Sequence, residues 1–173
     1  MAFTEVDSVY RLYFPVIRAR CRRVLADGDE AQDLAQETFI RLWRADLDGR
    51  EPKQIVAWIY RTCTHLAVDR LRQRAARPQD ERRGEPQDER KRVDAQEHAP
   101  APDSALATRQ LLEKISRRLG RDDLELLIMR RLDEMTEPQI ALVLGVADRT
   151  VRRRLSALDE RLHRILAELN HGA

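Results

Sequence analysis

The chain has 173 residues, with 32 lysines and arginines against 30 aspartates and glutamates and a formal net charge of +2. This length allows one ordinary domain or two small ones, and a net charge near zero indicates no class of partner by itself. Six glycines, seven prolines and 5% aromatic residues favour helices over sheets, and no apolar run approaches the ~20 residues of a membrane span. We therefore predict an all-α protein that does not insert into a membrane.

The first block of the chain predicts amphipathic helices. The first helix has an apolar stripe at steps of three and four residues, formed by Tyr10, Tyr13, Phe14, Ile17, Cys21 and Val24. Pro15 predicts a kink or a restart in this helix. After a turn at residues 27–29, the stripe of the second helix comprises Leu34, Ala35, Thr38, Phe39, Leu42 and Trp43. Its opposite side carries Asp33, Gln36, Glu37, Ile40, Arg41 and Arg44.

The third helix predicts a cationic outer face that includes an aromatic residue. Its apolar stripe comprises Ile55, Ile59, Cys63, Leu66, Ala67 and Leu71. The predicted outer face comprises Tyr60, Arg61, Thr64, His65, Val68, Arg72 and Arg74. An outward Tyr60 is suited to stack on an unpaired base while the cations hold a nucleic-acid backbone. Trp58 lies two residues before Tyr60, and for it we favour packing under the connecting loop over base stacking.

A polar segment separates the two blocks. It has almost no large apolar residues and contains an imperfect repeat, PQDERR at residues 78–83 and PQDERK at residues 86–91. Such a composition does not bury enough surface to offset the entropy lost on ordering. We predict two small helical domains, residues 1–74 and 105–173, joined by a flexible linker of residues 75–104.

The second block has the pattern of a helix-turn-helix, preceded by predicted helices near residues 104–119 and 122–132. Thr136 and Gln139 have capping-box spacing, and a tight turn at residues 145–147 leads to Asp148, the predicted N-cap of the last helix. The last helix has an apolar stripe of Val151, Leu155, Leu158, Leu162, Ile165 and Leu169. Its exposed first turns carry Arg149, Thr150, Arg152 and Arg153. In a helix-turn-helix, side chains at these positions enter the major groove of DNA.

The arginines of the last helix have two interpretations. They can bind phosphates or form two-toothed contacts with guanine, or they can simply form a solvated surface. A solvated face usually alternates charge, whereas residues 152–154 are an unbroken basic run. We therefore favour binding to DNA.

The sequence predicts neither catalysis nor a metal site. The four histidines, His65, His98, His163 and His171, have no metal-ligand spacing, and the chain has no glycine-rich phosphate loop. Cys21 and Cys63 lie on the predicted core stripes, at a spacing typical of neither a disulfide framework nor a zinc knuckle. We predict no enzyme activity, no cofactor and no metal, with buried thiols in a reducing cytoplasm.

Together these segments resemble the extracytoplasmic-function (ECF) subfamily of the sigma-70-type sigma factors of bacterial RNA polymerase, over residues 9–74 and 105–166. Residues 30–44 (EAQDLAQETFIRLWR) resemble region 2.2 of that family. This implies that the clamp helices of the largest polymerase subunit are contacted by Asp33, Gln36, Glu37 and Ile40. Residues 57–74 (AWIYRTCTHLAVDRLRQR) are similar to regions 2.3 and 2.4, which open the minus-ten element. The candidate minus-ten contacts are Trp58, Tyr60, Arg61, His65, Asp69 and Arg72.

Residues 136–162 (TEPQIALVLGVADRTVRRRLSALDERL) resemble the helix-turn-helix of region 4, which reads the minus-thirty-five element. Arg149, Thr150, Arg152 and Arg153 fall where that family meets DNA. The resemblance also implies contact with the flap of core polymerase and, by analogy, an anti-sigma partner. The chain departs from the family pattern at Gln32, His65, Gly120, Ala157 and Asp159. These departures imply a weaker acidic patch, an altered base preference and a shorter DNA-facing strip.

The resemblance implies an initiation factor that brings polymerase to promoters and catalyses nothing by itself. A first alternative is a stand-alone helix-turn-helix regulator, which predicts symmetric footprints in the absence of polymerase. A second is a helical adaptor that binds only protein. For the adaptor, replacing Arg152 and Arg153 by alanine would leave function intact.

Overall fold

The computed structural model describes residues 3–47, 49–76 and 102–171, and the regular elements in these ranges are all helical. They are α1 (Phe3–Leu25), α2 (Gly28–Arg44), α3 (Pro52–Ala76), α4 (Pro102–Ser116), α5 (Arg121–Leu127), α6 (Glu137–Leu144) and α7 (Asp148–His171). A π-helical turn, Ile128–Leu132, continues α5. The all-α prediction is confirmed. In the described ranges, no helix combines the length and apolar character that crossing a membrane requires.

Helices α3 and α4 reach further toward each other than predicted. Residues 75 and 76 belong to α3, and residues 102–104 belong to α4. The rest of the predicted linker, residues 77–101, lies outside the described residues, and the division into two domains stays a prediction.

Helix α1 runs through Pro15 without a restart, so that part of the prediction is wrong. A proline inside a helix removes one backbone hydrogen bond, that to the carbonyl four residues earlier. Here both Pro15 and Arg11, whose carbonyl loses its partner, are exposed, so water can satisfy the carbonyl. The apolar face of α1 is therefore continuous and buries Ile17, Cys21 and Val24.

An aromatic cluster holds the beginning of α1 against α2. The ring of Tyr10 stacks on Phe14 with centroids 4.8 Å apart and meets the edge of Phe39 at 5.1 Å. At the other end, α1 and α2 are joined by a short turn in which Ala26 has a φ of 49°. Asp27 then caps α2 by accepting the backbone N–H of Glu30 at 2.9 Å.

Helices α6 and α7 form the predicted helix-turn-helix. The backbone N–H of Thr136 donates to the side chain of Gln139 at 2.8 Å, which orders the start of α6. Gly145 ends α6 in the left-handed region, at a φ of 67°. The residues that α6 and α7 bury between them include Ile140, Ala141, Val151 and Leu155.

Helix α3 lies at the centre of the described structure. It packs against α1 and α2 from the first block and against α4, α5 and α6 from the second. The buried apolar side chains of both blocks form one continuous core. The two predicted blocks are therefore in direct contact, and α3 is covered on more than one side.

Candidate nucleic-acid and polymerase interfaces

Helix α7 presents the predicted minus-thirty-five residues at the surface. Arg149, Arg152 and Arg153 are exposed and Thr150 is half-buried, whereas Val151 between them is fully buried. Arg152 is 71% exposed although its Nε donates to Glu137 at 3.1 Å. A surface ion pair of this kind is weak, so Arg152 can exchange Glu137 for a phosphate at little cost.

Asp148 is not the N-cap of α7, contrary to the prediction. The helix begins at Asp148, and the carbonyl of Ala147 accepts the N–H groups of Thr150 at 2.8 Å and Val151 at 3.3 Å. Asp148 therefore lies in the first turn of α7. Its negative charge there interacts favourably with the positive end of the helix dipole. The N-cap and the first residue of a helix are adjacent positions, and residue preferences alone do not say which of the two a given residue occupies.

Helix α2 presents the predicted polymerase-binding residues on one face. Asp33, Gln36 and Ile40 are exposed. Glu37 is half-buried and accepts Nε of Arg41 at 2.8 Å. The face therefore combines acidic and polar groups with an exposed aliphatic side chain, a mixture that a cationic partner protein with apolar side chains could contact.

Trp43 belongs to this same face and not to the core, so the prediction for Trp43 is wrong. Its side chain is 66% exposed, whereas the preceding Leu42 is 1% exposed. Trp43 follows Ile40 by three residues, which places both on one side of the helix. An exposed tryptophan beside an exposed isoleucine forms an apolar patch, whereas the sequence pattern predicts Ile40 on the surface and Trp43 in the core.

Three predicted outward residues of α3 are buried instead. Thr64 and Val68 face the core and have no exposed surface, and the Thr64 hydroxyl accepts a hydrogen bond from Arg20 of α1 at 2.8 Å. Arg74 is buried for a different reason, because its guanidinium folds back to Glu30 at 2.7 Å and Asp27 at 3.2 Å. These ion pairs join the end of α3 to the beginning of α2.

The predicted minus-ten residues occupy two adjacent surfaces of α3. Arg61 is exposed, and with the half-buried Trp58 it lines an open cleft of about 540 Å³ against Pro138 and Leu142 of α6. Tyr60 is half-buried and packs against the core, with the guanidinium of Arg20 at 5.5 Å from its ring centre. Burial raises the pKa of the Tyr60 hydroxyl above its ordinary value.

The other three predicted minus-ten residues contact the second block directly. His65 Nε2 lies 3.1 Å from a carboxylate oxygen of Glu125, and Asp69 pairs with Arg121 at 3.1 Å. Arg72 donates to the carbonyl of Leu119 at 3.4 Å. These side chains are therefore occupied by protein groups in this structure.

Arg20 is a central residue that the sequence analysis missed. Its side chain is 2% exposed and donates to Cys63 Sγ at 3.2 Å, to Thr64 at 2.8 Å and to Asp133 at 2.6 Å. Burial alone lowers the pKa of Arg20, but the Cys63 thiol and the Asp133 carboxylate raise it above the ordinary value. The position of Arg20 between Ile17 and Val24 on the apolar stripe is the signal that could have revealed its burial.

The two cysteines are buried, as predicted, and lie against each other. Their Sγ atoms are 3.2 Å apart between α1 and α3. The hydrogen bond from Cys21 lowers the pKa of Cys63, and the guanidinium of Arg20 acts in the same direction. Within the described ranges, no three histidine, cysteine or acidic side chains come together in a way that could hold a metal ion.

Two protein-family descriptions match this chain. Sigma-70 region 2 matches residues 9–77, which contain most of α1 and all of α2 and α3. Sigma-70, region 4 matches residues 109–157, which run from α4 into the first turns of α7. The two descriptions match in this order along one chain and leave out most of the segment between α3 and α4.

Proteins that are named RNA polymerase sigma factors are similar to between 42% and 84% of this chain. The probable RNA polymerase sigma factor RfaY of Xanthomonas campestris pv. campestris is 30% identical over 138 residues, which are 77% of this chain and 33% of that protein. The RNA polymerase sigma-H factor of Pseudomonas aeruginosa is 29% identical over 157 residues, 84% of this chain and 80% of that protein. The ECF RNA polymerase sigma factor SigW of Bacillus subtilis is 34% identical over 74 residues, 42% of this chain and 37% of that protein.

The helix-turn-helix, the order of the two matched regions and these relatives agree with one another. The chain therefore belongs to the ECF subfamily of the sigma-70 family of RNA polymerase sigma factors.

Proposed function

We propose that this chain is an alternative sigma factor that directs core RNA polymerase to specific promoters and initiates transcription there. The observation that carries the proposal is that a region 2 and a region 4 occur in one chain, each with a suitable exposed face. The face on α2 is acidic and apolar, and the face at the beginning of α7 is cationic. Polymerase supplies all the chemistry, so the chain itself is not an enzyme.

Each predicted set of residues has a role in this proposal. On α2, the clamp helices of polymerase are bound by Asp33, Gln36, Glu37 and Ile40, together with Trp43. On α3, the minus-ten element is contacted by Trp58, Tyr60, Arg61, His65, Asp69 and Arg72. On α7, the minus-thirty-five element is contacted by Arg149, Thr150, Arg152 and Arg153. The domain boundaries of the sequence prediction, with a linker over residues 75–104, belong to the same proposal.

The proposal also includes a location and further partners. An initiation factor works where the chromosome is transcribed, which in a bacterium is the cytoplasm. Contact with the polymerase flap and sequestration by an anti-sigma factor are implied by the resemblance to the family. Co-purification from the host, with identification of every bound protein, tests both.

The decisive experiment mixes the purified chain with bacterial core polymerase. We expect a complex that co-elutes on size exclusion and transcribes from a subset of genomic promoters. Charge reversal by Asp33→Lys with Glu37→Lys is expected to abolish the complex, because it places cations where the polymerase receives an acidic face. The matched control is Asp7→Lys with Glu51→Lys, which makes the same charge change at two exposed carboxylates outside that face.

Two outcomes contradict the proposal. One is that the chain forms no complex with core polymerase and directs no transcription. The other is that the chain alone protects symmetric DNA sites, which indicates the stand-alone regulator. If the double charge reversal and its control assemble equally well, the assignment of the α2 face is wrong.

A further inference from the structure

Cys21 of α1 and Cys63 of α3 are the two cysteines of the chain, and the fold brings them together. Their Sγ atoms are 3.2 Å apart, and both side chains are fully buried. Because the sulfur atoms of a disulfide lie about 2.05 Å apart, the two thiols need to approach by only about 1 Å to form a bond. The contact joins positions 42 residues apart in the sequence, so the spacing of the cysteines does not reveal it.

A bond between these cysteines would close a loop that contains the whole of α2. Helices α1 and α3 pack against α2 and against each other, so the loop is the three-helix bundle of the first block. One turn before each cysteine lies a fully buried isoleucine, Ile17 on α1 and Ile59 on α3. The bond would therefore lie inside the core of this bundle and limit how far α1 and α3 can separate.

The guanidinium of Arg20 is directed at one of the two sulfur atoms. Its Nη1 donates to Cys63 Sγ at 3.2 Å, whereas Nε and Nη2 donate to the carboxylate of Asp133. The Arg20 side chain is 2% exposed, and a buried cation favours the anionic form of a neighbouring thiol. Cys63 therefore differs from a thiol that only fills space in an apolar core.

The two thiols differ in how readily they lose a proton. The hydrogen bond from Cys21 and the charge of Arg20 lower the pKa of Cys63 to about 7, although burial opposes this effect. The same hydrogen bond and burial raise the pKa of Cys21. Cys63 is therefore the sulfur that ionises, while Cys21 keeps its proton. Oxidation to a disulfide uses such a pair, in which a thiolate attacks the oxidant and a second thiol resolves the product.

We propose that Cys21 and Cys63 are a peroxide-sensitive pair that forms a reversible disulfide within the chain. This inference does not depend on the proposed function. In the first step, the Cys63 thiolate attacks one oxygen of hydrogen peroxide, the O–O bond breaks and hydroxide leaves, which gives a sulfenic acid at Cys63. In the second step, Cys21 Sγ attacks the Cys63 sulfur, the S–O bond breaks and the oxygen leaves as water with the proton of Cys21.

The two steps balance without a further reactant. The two sulfur atoms together lose two electrons, and the peroxide is reduced by the same two electrons. The hydroxide of the first step takes up the proton that Cys63 had lost, so the products are one disulfide and two waters. A thiol reductant reverses the change by exchange.

The burial of the pair determines when it reacts. Both cysteines have no exposed surface, so peroxide reaches them only when α1 and α3 open locally. In a reducing compartment the pair remains as two thiols, and the disulfide forms only while oxidant is present. We therefore expect a response to sustained exposure to oxidant, slower than the oxidation of an exposed thiolate.

The experiment treats the reduced full chain with hydrogen peroxide and then blocks free thiols with N-ethylmaleimide under denaturing conditions. We expect a monomer that takes up no N-ethylmaleimide, has lost the mass of two hydrogens and shows Cys21 linked to Cys63 in a non-reduced peptide map. Dithiothreitol should restore both thiols. Two free thiols after treatment, a link only between chains, or oxidation of either sulfur without the Cys21–Cys63 link overturns the proposal.

Cys21→Ala and Cys63→Ala are a matched pair of variants that tests the two roles. Cys21→Ala should stop at a sulfenic acid that dimedone labels, because Arg20 still faces Cys63. Cys63→Ala should leave the Cys21 thiol unlabelled, because burial keeps it protonated. Labelling of Cys21 and not of Cys63 contradicts the proposed order of attack. Circular dichroism shows whether both variants fold, and the result on the unmodified chain requires neither of them.

Thermal unfolding tests whether the bond fits the native bundle. Oxidation of the unmodified chain should raise the melting temperature by about 5–15 °C, because the closed loop restricts the unfolded chain. The same treatment should not raise the melting temperature of either single-cysteine variant. An unchanged or lower melting temperature of the oxidised chain would mean that the bond distorts the packing of α1 on α3, which contradicts a disulfide at the native contact.

Discussion

At the scale of single residues, neighbouring positions of α2 differ sharply in burial. Leu42 is buried and Trp43 is exposed, although both are large apolar side chains. Helical geometry turns adjacent residues about 100° apart, so the core takes one and the surface the other. The amount of apolar surface in the sequence therefore does not say which residue stabilises the fold.

The two residues make a matched pair for mutation. Leu42→Ala is expected to lower the free energy of unfolding by about 2–5 kcal/mol, because it leaves a cavity in the core. Trp43→Ala should lower that free energy by less than Leu42→Ala does, because the indole is largely exposed, and should weaken assembly with core polymerase. Urea unfolding and a polymerase-binding assay measure the two effects. A large loss of stability in Trp43→Ala would show that the indole packs against the protein.

Arg20 is a charged residue whose burial also differs from what its sequence neighbours indicate. Its neighbours in sequence are typical of a basic helix surface, but its guanidinium is enclosed by Cys63, Thr64 and Asp133. A buried cation needs partners for its N–H groups, and here α3 supplies Cys63 and Thr64 while the residue after the π-helical turn, Asp133, supplies the carboxylate. Only the assembled structure brings these partners together.

At the scale of elements, the turn of the helix-turn-helix depends on one glycine. Gly145 has a φ of 67°, and a Cβ at this position would meet no other atom within 4 Å. A substitution there is therefore opposed by the backbone conformation and not by crowding. Any residue with a Cβ is destabilised in the left-handed conformation. This conformation of Gly145 ends α6 and leads into the turn before α7.

We expect Gly145→Ala to lower the free energy of unfolding by about 1 kcal/mol. Gly28→Ala is the matched control, since a Cβ at Gly28 also meets nothing within 4 Å and its φ is not positive. Gly28 begins α2, so alanine should be neutral or slightly stabilising there. Thermal unfolding of the two variants measures the difference. Equal stability of both would mean that the turn relaxes to a conformation that accepts alanine.

Helix α3 shows that a sequence can predict a helix correctly without predicting which of its faces are buried. Its apolar stripe predicted the helix correctly, and Ile59, Cys63 and Leu71 are buried as expected. Thr64 and Val68 are also buried, although they lie outside this apolar stripe. Periodicity identifies the strongest apolar face and is silent about a mixed face that another element covers.

At the scale of the whole molecule, the proposed function requires the cationic start of α7 to meet duplex DNA. Arg153→Ala is expected to weaken binding of the holoenzyme to promoter DNA. If Arg153 contacts a phosphate, the slope of log affinity against log salt becomes shallower by about one unit; a guanine contact instead costs about 1–3 kcal/mol at one base pair. Fluorescence anisotropy at several salt concentrations, with promoters altered at single positions, distinguishes the two.

The control for Arg153 is Arg164→Ala, an exposed arginine further along the same helix. It carries the same charge but lies outside the proposed DNA-facing turns. Equal promoter affinity of the two variants would contradict the assignment of Arg153 and leave only a general effect of charge.

The sequence by itself determined the helical class, most of the buried stripes of α1 to α3 and the helix-turn-helix, because these depend on spacing within a few turns. It also brought out the exposed residues of α2 and α7 that define the candidate interfaces. The tertiary structure alone decided that Thr64 and Val68 are covered, that Trp43 is exposed and that Arg20 meets Asp133. The physical reason is that a helical period reports contacts between near neighbours, whereas the burial of charged and mixed faces depends on distant partners, 44 positions away for Thr64 and Arg20 and 113 for Arg20 and Asp133.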